Sequence, residues 1–133
     1  MIVVEQKDLE DLVKKMIKAV GSEEIEAKVV ADNLVEANLM GHDSHGVGLA
    51  PRYMGHAIMG TLTPGAEVNK ITDNGVYLLL EGNMGYGQII GRDAMQLGIE
   101  KVRETGAAII GLRNVHHLGR IGAWGEMLSL IHI

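Results

Sequence analysis

Apolar side chains recur at helical spacing in the first part of the chain. Residues 7–20 carry Leu9, Leu12, Val13, Met16, Ile17 and Val20. A second stripe consists of Ile25, Val29, Val30, Leu34, Ala37 and Met40. Intervals of three and four are typical of amphipathic helices with one buried face. We therefore predict two helices with solvated charged faces, the first stopped by Gly21 and the second capped by Ser22.

A turn-rich segment at residues 60–65 separates this helical part from a region with a different pattern. Beyond it, residues 76–80 and 107–112 are short apolar runs with the length and composition of buried strands. The turn residues 73–75 precede the first run. The second part of the chain is therefore expected to contain strands.

Further helices are expected at residues 47–59, 87–104 and 121–128. Together these elements predict an α+β fold, because the strands and most helices fall in separate stretches. We expect a helical N-terminal domain at residues 1–65. The first part of an α/β domain follows at residues 70–127.

The composition excludes several classes of protein. Apolar residues make up 47% and charged residues 22%, as in soluble globular proteins. A net charge of −5 without a basic run argues against a nucleic-acid surface. The chain has no cysteine, and no apolar run approaches the roughly 20 residues that cross a bilayer. We expect a cytoplasmic protein that neither binds nucleic acid nor enters a membrane.

The last six residues, 128–133, form an apolar run without a cap or polar tail. A globular domain seldom ends on a strand-like segment that nothing covers. One choice of codons for this run also encodes a transposase end sequence used to prepare sequencing libraries. We therefore expect a non-native tail here, and an N-terminal fragment of a longer protein before it.

Residues 41–46 read G-H-D-S-H-G and concentrate proton-transfer chemistry. An imidazole titrates near neutrality, and the hydroxyl of Ser44 or the carboxylate of Asp43 can fix its tautomer. The same residues also suit a turn in which Asp43 or Ser44 caps the next helix. A metal site on His42 and His45 is a third interpretation, which lacks an obvious third ligand. The residues alone leave these interpretations open.

Residues 114–120 follow the second predicted strand, where α/β proteins often bind ligands. They include His116, His117 and Arg120. An arginine near the first N–H groups of a helix suits a phosphate or a carboxylate. The alternative is a polar turn with one capping histidine.

The first predicted strand leads into a glycine-rich loop. Its pattern from Gly82 is G-x-x-G-x-G-x-x-x-G, which differs from the dinucleotide fingerprint G-x-G-x-x-G. We interpret Gly85 and Gly87 as residues of a tight turn and of helix packing.

The order of these motifs resembles one known family. G-H-D-S-H-G, Pro-Arg-Tyr at residues 51–53, the glycine-rich loop and N-x-H-H-x-G-R-x-G from Asn114 are similar to the malate/L-lactate dehydrogenase family, also called L-sulfolactate dehydrogenase-like. Within it, the hydroxycarboxylate dehydrogenases are most similar. The resemblance covers nearly all of residues 1–127.

The resemblance implies a fold and a reaction. It implies a non-Rossmann cofactor domain on a largely antiparallel sheet, and a homodimer. The implied reaction moves a hydride between NAD or NADP and C2 of a small 2-hydroxy or 2-oxo acid, such as malate or lactate.

The resemblance also implies residue roles. His45 matches the proton donor and acceptor, Ser44 its relay partner, and His117 a catalytic residue near the substrate. The expected cofactor contacts are His117, Leu118, Gly119, Arg120 and Ile121.

Two departures from the family pattern affect the site. Many members carry an arginine four residues after the catalytic histidine, where this chain has Leu49. Arg52 is the expected stand-in that binds the substrate carboxylate. The family's relay aspartate and much of its nicotinamide surface are expected beyond residue 133. The alternative function is therefore a catalytically inactive fragment that acts as a structural or dimerisation module.

Overall fold

The structure is a computed structural model, and it describes residues 3–130. This part of the chain combines five α-helices with a three-stranded sheet, so the predicted α+β class is confirmed. The chain divides into two compact units between Gly65 and Ala66. None of the helices within residues 3–130 has the length and apolar character needed to cross a membrane.

The first unit is helical. Its α-helices are α1 (Gln6–Lys18), α2 (Glu24–Leu39) and α3 (Ala50–Ile58). Helix α1 packs along α2, and the two share a core built from apolar side chains. The largest of these fully buried side chains are Val13, Ile17, Val30, Leu34 and Val35. Pro51 lies in the first turn of α3, where its missing N–H group breaks no helical hydrogen bond.

The predicted cap of α2 is wrong. The helix begins at Glu24 with Glu23 at the N-cap position, and no side chain forms a cap hydrogen bond there. Ser22 precedes the N-cap residue and is buried. The negative charges of Glu23 and Glu24 near the helix N-terminus offset part of the missing cap.

The buried face of α2 is also rotated from the predicted stripe. Ile25 and Met40 were placed inside but are 74% and 55% exposed. Glu26, expected in solvent, is buried, and both of its carboxylate oxygens accept from the Gly65 N–H, at 3.1 and 3.0 Å. This hydrogen bond compensates part of the cost of burying the carboxylate and ties residue 65 to α2.

The second unit is built on a sheet with strand order β1-β2-β3. Its elements are β1 (Asn69–Asn74), β2 (Tyr77–Glu81), α4 (Gly87–Thr105), β3 (Ile109–Arg113) and α5 (Gly122–Ser129). Strand β2 pairs antiparallel with β1 and parallel with β3, and α4 makes the crossover. Leu78 and Leu80 of β2 pack with Ala94 of α4 to form the core.

Strand β1 was not predicted. All six of its residues are exposed, so the alternation of buried and exposed positions that marks a strand is absent. Asp73 and Asn74 belong to this strand, and the turn that joins it to β2 lies at Gly75 and Val76. The turn predicted at residues 73–75 was therefore placed too early.

The end of the described chain is helical. Leu128 and Ser129 continue α5, so the expected strand-like character is wrong for them. Ile131, His132 and Ile133, the other part of the expected non-native tail, lie outside the described residues.

Candidate active site

The G-H-D-S-H-G motif forms a short turn directly after α2. Asp43–His45 is a single 3₁₀ turn, and a second one, Val47–Leu49, leads into α3. Ser44 Oγ lies 2.9 Å from His45 Nδ1. Ser44 is exposed and His45 is half-buried. The turn therefore brings a hydroxyl onto one nitrogen of the imidazole while leaving part of the ring accessible.

Asn38 holds this turn, which we call the His45 turn (residues 42–47). Its Nδ2 donates to Asp43 Oδ1 at 2.6 Å, and its Oδ1 accepts from the Val47 N–H at 2.8 Å. Gly46 makes this approach possible, because a Cβ at that position would collide with the Asn38 amide. Sequence analysis missed Asn38. Its only signal was an amide in the last helical turn before the motif.

These contacts decide against the capping interpretation. Neither the 3₁₀ turn Asp43–His45 nor α3 has a side-chain cap hydrogen bond. The Asp43 carboxylate contacts Asn38, and the Ser44 hydroxyl contacts His45. Across residues 3–130, no three or more His, Asp or Glu side chains are grouped as a metal site would need.

Arg52, the predicted carboxylate ligand, lies in the first turn of α3 and is exposed. The next residue, Tyr53, is fully buried and packs α3 into the core of the first unit. Leu49, at the position where many family members carry an arginine, is the half-buried N-cap residue of α3. An exposed guanidinium on a fixed helix can take up a carboxylate in bidentate fashion.

In the second unit, the loops after β2 and β3 start from the same edge of the sheet, because these strands are parallel. We call them the glycine loop (residues 82–87) and the His117 loop (residues 114–121). Two backbone hydrogen bonds join the two loops, from Met84 N–H to Asn114 O at 2.6 Å and from His116 N–H to Gly85 O at 3.1 Å. A third runs from Gly82 N–H to the carbonyl oxygen of Arg113, the last residue of β3, at 2.9 Å.

Glycines allow this close packing. A Cβ at Gly87 would collide with the backbone of His117 and Leu118, and one at Gly91 would lie 2.9 Å from the Trp124 ring. The interpretation of Gly87 as a packing glycine is therefore confirmed. The space beside this glycine is filled by the His117 loop.

Glu81 secures the start of both loops, and sequence analysis missed it. Its carboxylate accepts from Asn83 N–H at 3.2 Å, Arg113 Nε at 2.8 Å and Asn114 Nδ2 at 3.0 Å. Burial would raise the pKa of Glu81, but these three donors outweigh it and hold the pKa below its ordinary value. Asn83, Met84 and Asn114 all have positive φ, at 50°, 59° and 49°. The carboxylate thus supports a strained segment of backbone.

His117 is exposed, and its Nδ1 accepts from the Gly119 N–H at 3.3 Å. A neutral imidazole that accepts at Nδ1 carries its proton on Nε2. Leu118 is half-buried, whereas Ile121 is 60% exposed. The loop therefore presents an imidazole and an apolar side chain to solvent.

Arg120 differs from its neighbours, because it is only 7% exposed. Its Nη1 and Nη2 bind the two carboxylate oxygens of Glu126 at 2.7 and 2.9 Å. This ion pair holds the pKa of Glu126 below its ordinary value. The carboxylate that Arg120 contacts thus belongs to α5, and its charge is already matched within the second unit.

Comparisons with known proteins agree with the motifs. The family model described as malate/L-lactate dehydrogenase matches residues 4–130. Hydroxycarboxylate dehydrogenase B from Escherichia coli (strain K12) is 41% identical over 121 residues, which cover 91% of this chain and 34% of the relative. Malate dehydrogenase from Pyrococcus abyssi is 37% identical over 126 residues, covering 95% and 35%.

A solved structure gives the same result. Malate dehydrogenase from Pyrococcus horikoshii OT3 aligns with a TM-score of 0.89 at 36% identity, over 95% of this chain and 36% of that one. This chain therefore spans about a third of the length of these relatives. The range matched by the family model includes Leu128, Ser129 and Leu130, half of the expected non-native tail. Because that range takes in nearly the whole sequence, the resemblance is confirmed, and the chain belongs to the malate/L-lactate dehydrogenase family.

Proposed function

We propose that this chain supplies the proton-transfer residues of an NAD(P)-dependent dehydrogenase acting on a small 2-hydroxy or 2-oxo acid. The supporting observation is the 2.9 Å contact between Ser44 Oγ and His45 Nδ1. When a 2-oxo acid gains a hydride at C2, its carbonyl oxygen must also gain a proton. An imidazole can both donate and accept a proton at its ring nitrogens, so it suits that transfer in both directions.

The hydroxyl of Ser44 occupies Nδ1 of His45, so the other ring nitrogen, Nε2, can exchange a proton with the substrate. A hydroxyl both donates and accepts hydrogen bonds. With the Nδ1 proton of His45 donated to Ser44 Oγ, Nε2 can release a proton to the carbonyl oxygen during reduction. During oxidation Nε2 takes the proton back from the substrate hydroxyl, and the Nδ1 proton does not move. His45 is the acid and base, and the hydrogen bond to Ser44 keeps a proton on Nδ1 of the His45 ring.

NAD or NADP, when bound, supplies or takes up the hydride at C2. His117 and Ile121 fit the uncharged part of such a dinucleotide, because both side chains are exposed on the His117 loop. Leu118 and Gly119 would border the same contact. Arg120 does not fit a phosphate ligand, since Glu126 already matches its charge. We assign Arg120 the role of holding the loop onto α5.

Arg52 is the proposed ligand of the substrate carboxylate. Its guanidinium is exposed in the same unit as His45. We also propose a substrate contact for His117, whose side chain is exposed. The named relatives act on malate or on hydroxycarboxylates, which supports an acid of this size as substrate.

The proposal extends to the whole protein. We propose a helical domain at residues 1–65 and a non-Rossmann cofactor domain that starts at about residue 70 and completes a largely antiparallel sheet. We also propose a cytoplasmic homodimer. Within residues 3–130 the sheet has one antiparallel and one parallel strand pair, so the further strands would have to add antiparallel pairs. Sedimentation of the complete protein tests the dimer.

The activity can be tested in a fusion, because this chain spans about a third of its relatives. The chain would replace the matching third of E. coli hydroxycarboxylate dehydrogenase B, and oxidation of NADH and NADPH would be followed with a set of 2-oxo acids. We expect His45→Gln to lower kcat by about 100-fold or more. His42→Gln, the matched control in the same motif, should retain turnover.

Full turnover by His45→Gln would overturn the proposed mechanism. A folded fusion with no turnover at all would overturn the proposed function. That second result would favour the alternative, a non-catalytic structural or dimerisation module.

A further inference from the structure

We propose that Asn38 is the positioning residue of His45, and that it fixes the Ser44–His45 pair by clamping both ends of the His45 turn. This inference rests on the proposed acid–base function of His45. It adds a residue outside the G-H-D-S-H-G motif to the machinery of the first unit.

The clamp joins the two ends of the turn. At one end, Asn38 Nδ2 donates to Asp43 Oδ1 at 2.6 Å. At the other, the Val47 N–H donates to Asn38 Oδ1 at 2.8 Å. Ser44 and His45 lie between these two points. The single amide therefore sets the span of the segment that carries Ser44 and His45.

Asn38 is held in place by the C-terminal turn of α2. Asn38 lies in the last turn of α2, next to Ala37, which is fully buried. The Gly41 N–H closes the helix end by donating to Asn38 O at 2.9 Å, and the His42 N–H donates to Ala37 O at 2.8 Å. The turn starts from a backbone that the helix already fixes.

Only an amide satisfies both partners. A carboxylate such as Asp43 can only accept, so the Asn38 NH₂ group must face it, and the carbonyl oxygen then faces the Val47 N–H. Aspartate at residue 38 would place two carboxylates together, and alanine would lose both contacts. Gly46 has no Cβ where the amide passes, so the turn and the amide fit each other.

The expected consequence concerns geometry rather than stability. Acid–base catalysis needs the imidazole within hydrogen-bond reach of the transferred proton, and a displacement of about 1 Å can cost on the order of 100-fold in rate. Without the clamp, Ser44 Oγ and His45 Nδ1 would separate, and the tautomer fixed by that contact would be lost.

The test uses the 133-residue chain and records the ¹⁵N chemical shifts of the histidine ring nitrogens over a pH series. We expect Asn38→Ala to change the tautomer ratio of His45 and to leave that of His56 unchanged. Asp43→Ala, which removes one of the two contacts at an exposed position, should give a smaller change in the same direction. If Asn38→Ala does not fold, Asp43→Ala tests the same inference. Asp32→Asn, at a half-buried position of α2 that pairs with Lys28 and not with the His45 turn, is the control without effect on His45.

A swapped pair separates positioning from charge. In Asn38→Asp/Asp43→Asn the carboxylate and the amide exchange places, the net charge is unchanged, and both hydrogen bonds can form again. We expect this double variant to restore the His45 tautomer ratio, whereas Asn38→Asp alone should not. Wild-type His45 signals in Asn38→Ala, or no restoration in the swapped pair, would overturn the inference.

Kinetics of the fusion distinguish this inference from the function on which it rests. Asn38→Ala should lower kcat by about 10- to 100-fold, with KM within about twofold of the wild type. Full turnover by His45→Gln would overturn the proposed acid–base role of His45, whatever the result for Asn38→Ala. If His45 is required and Asn38→Ala keeps full kcat, the positioning role alone is wrong.

Discussion

Arg120 and Glu126 form a two-point ion pair, with Nη1–Oε1 at 2.7 Å and Nη2–Oε2 at 2.9 Å. From the sequence, Arg120 was expected to bind a phosphate or a carboxylate of a ligand. In the structure its side chain is buried near the end of the His117 loop. Its position just before α5 places the guanidinium beside a carboxylate of the same helix. The ion pair therefore joins the end of the His117 loop to α5.

Removal of the Glu126 carboxylate should destabilise the second unit, because it leaves the buried Arg120 charge without its matched acceptor. We expect Glu126→Gln to lower the thermal midpoint by about 5 °C. Glu100→Gln, on the exposed surface of α4, should shift it by less than about 1 °C. Differential scanning calorimetry of the two variants checks this, and equal midpoints would contradict the anchoring role.

The ion pair between Asp73 Oδ1 and Lys101 Nζ, 2.5 Å long, predicts how stability depends on pH. The hydrogen bond from Lys101 holds the pKa of Asp73 below its ordinary 3.8. Near pH 4 the unfolded state then binds more protons, so this contribution to the free energy of unfolding is complete above that pH. It disappears as the pH falls through the lowered pKa of the folded state.

Urea unfolding of wild type and Asp73→Asn measures this contribution directly. The difference between the two should be largest near neutral pH and vanish in strong acid. At the alkaline end, the hydrogen bond to Asp73 raises the pKa of Lys101 above 10.5, so the same contribution is lost as pH rises through that raised pKa. A difference that stays constant from pH 2 to pH 7 would rule out the pair as its source.

Periodicity predicted the bounds of the longest helix well. Residues 87–104 were predicted as a helix, and α4 spans Gly87–Thr105. Strand β1 has no periodic pattern of buried residues, because all six of its residues are exposed. Its strand conformation depends on pairing with β2. Glu26 shows the reverse case, in which a charged residue is buried because a backbone N–H 39 residues away meets it.

In the candidate site too, some residues could be predicted from the sequence and others could not. The residue types of the G-H-D-S-H-G motif left several interpretations of Ser44 and His45 open, and the family resemblance favoured the acid–base one. Asn38 and Glu81 were missed, since their roles depend on hydrogen bonds to loops and no spacing rule specifies them. Sequence motifs therefore led to the proposed acid–base residues, whereas the side chains that hydrogen-bond to the surrounding loops were recognised only in the structure.

Gly87 should be intolerant of a side chain. A Cβ there would collide with backbone atoms of the His117 loop, which cannot rotate away as a side chain can. We expect Gly87→Ala to lower the free energy of unfolding by about 1–3 kcal/mol. Gly125→Ala in α5 meets nothing within 4 Å and should raise it by about 0.5–1 kcal/mol. Chemical denaturation compares them, and similar effects of both substitutions would show that the close approach is unimportant.

Glu81 should control the order of the two loops without contributing chemistry of its own. Its carboxylate accepts three hydrogen bonds, and an amide at this position would place its NH₂ group either against the Asn83 N–H or against the donors of Arg113 and Asn114. We expect Glu81→Gln to speed hydrogen exchange of the Met84 and His116 N–H groups by about tenfold, because these bonds hold the loops together.

Acid should reproduce this loosening in the wild type. The pKa of Glu81 is lowered in the folded state, so the carboxylate keeps its three donors until the pH falls below its ordinary value of 4.5. Exchange rates, corrected for the intrinsic pH dependence, should therefore rise only below that pH in the wild type and at every pH in Glu81→Gln. Glu104→Gln, at the exposed end of α4, is the matched control. Unchanged protection of Met84 and His116 in Glu81→Gln would mean that the backbone hydrogen bonds alone hold the loops.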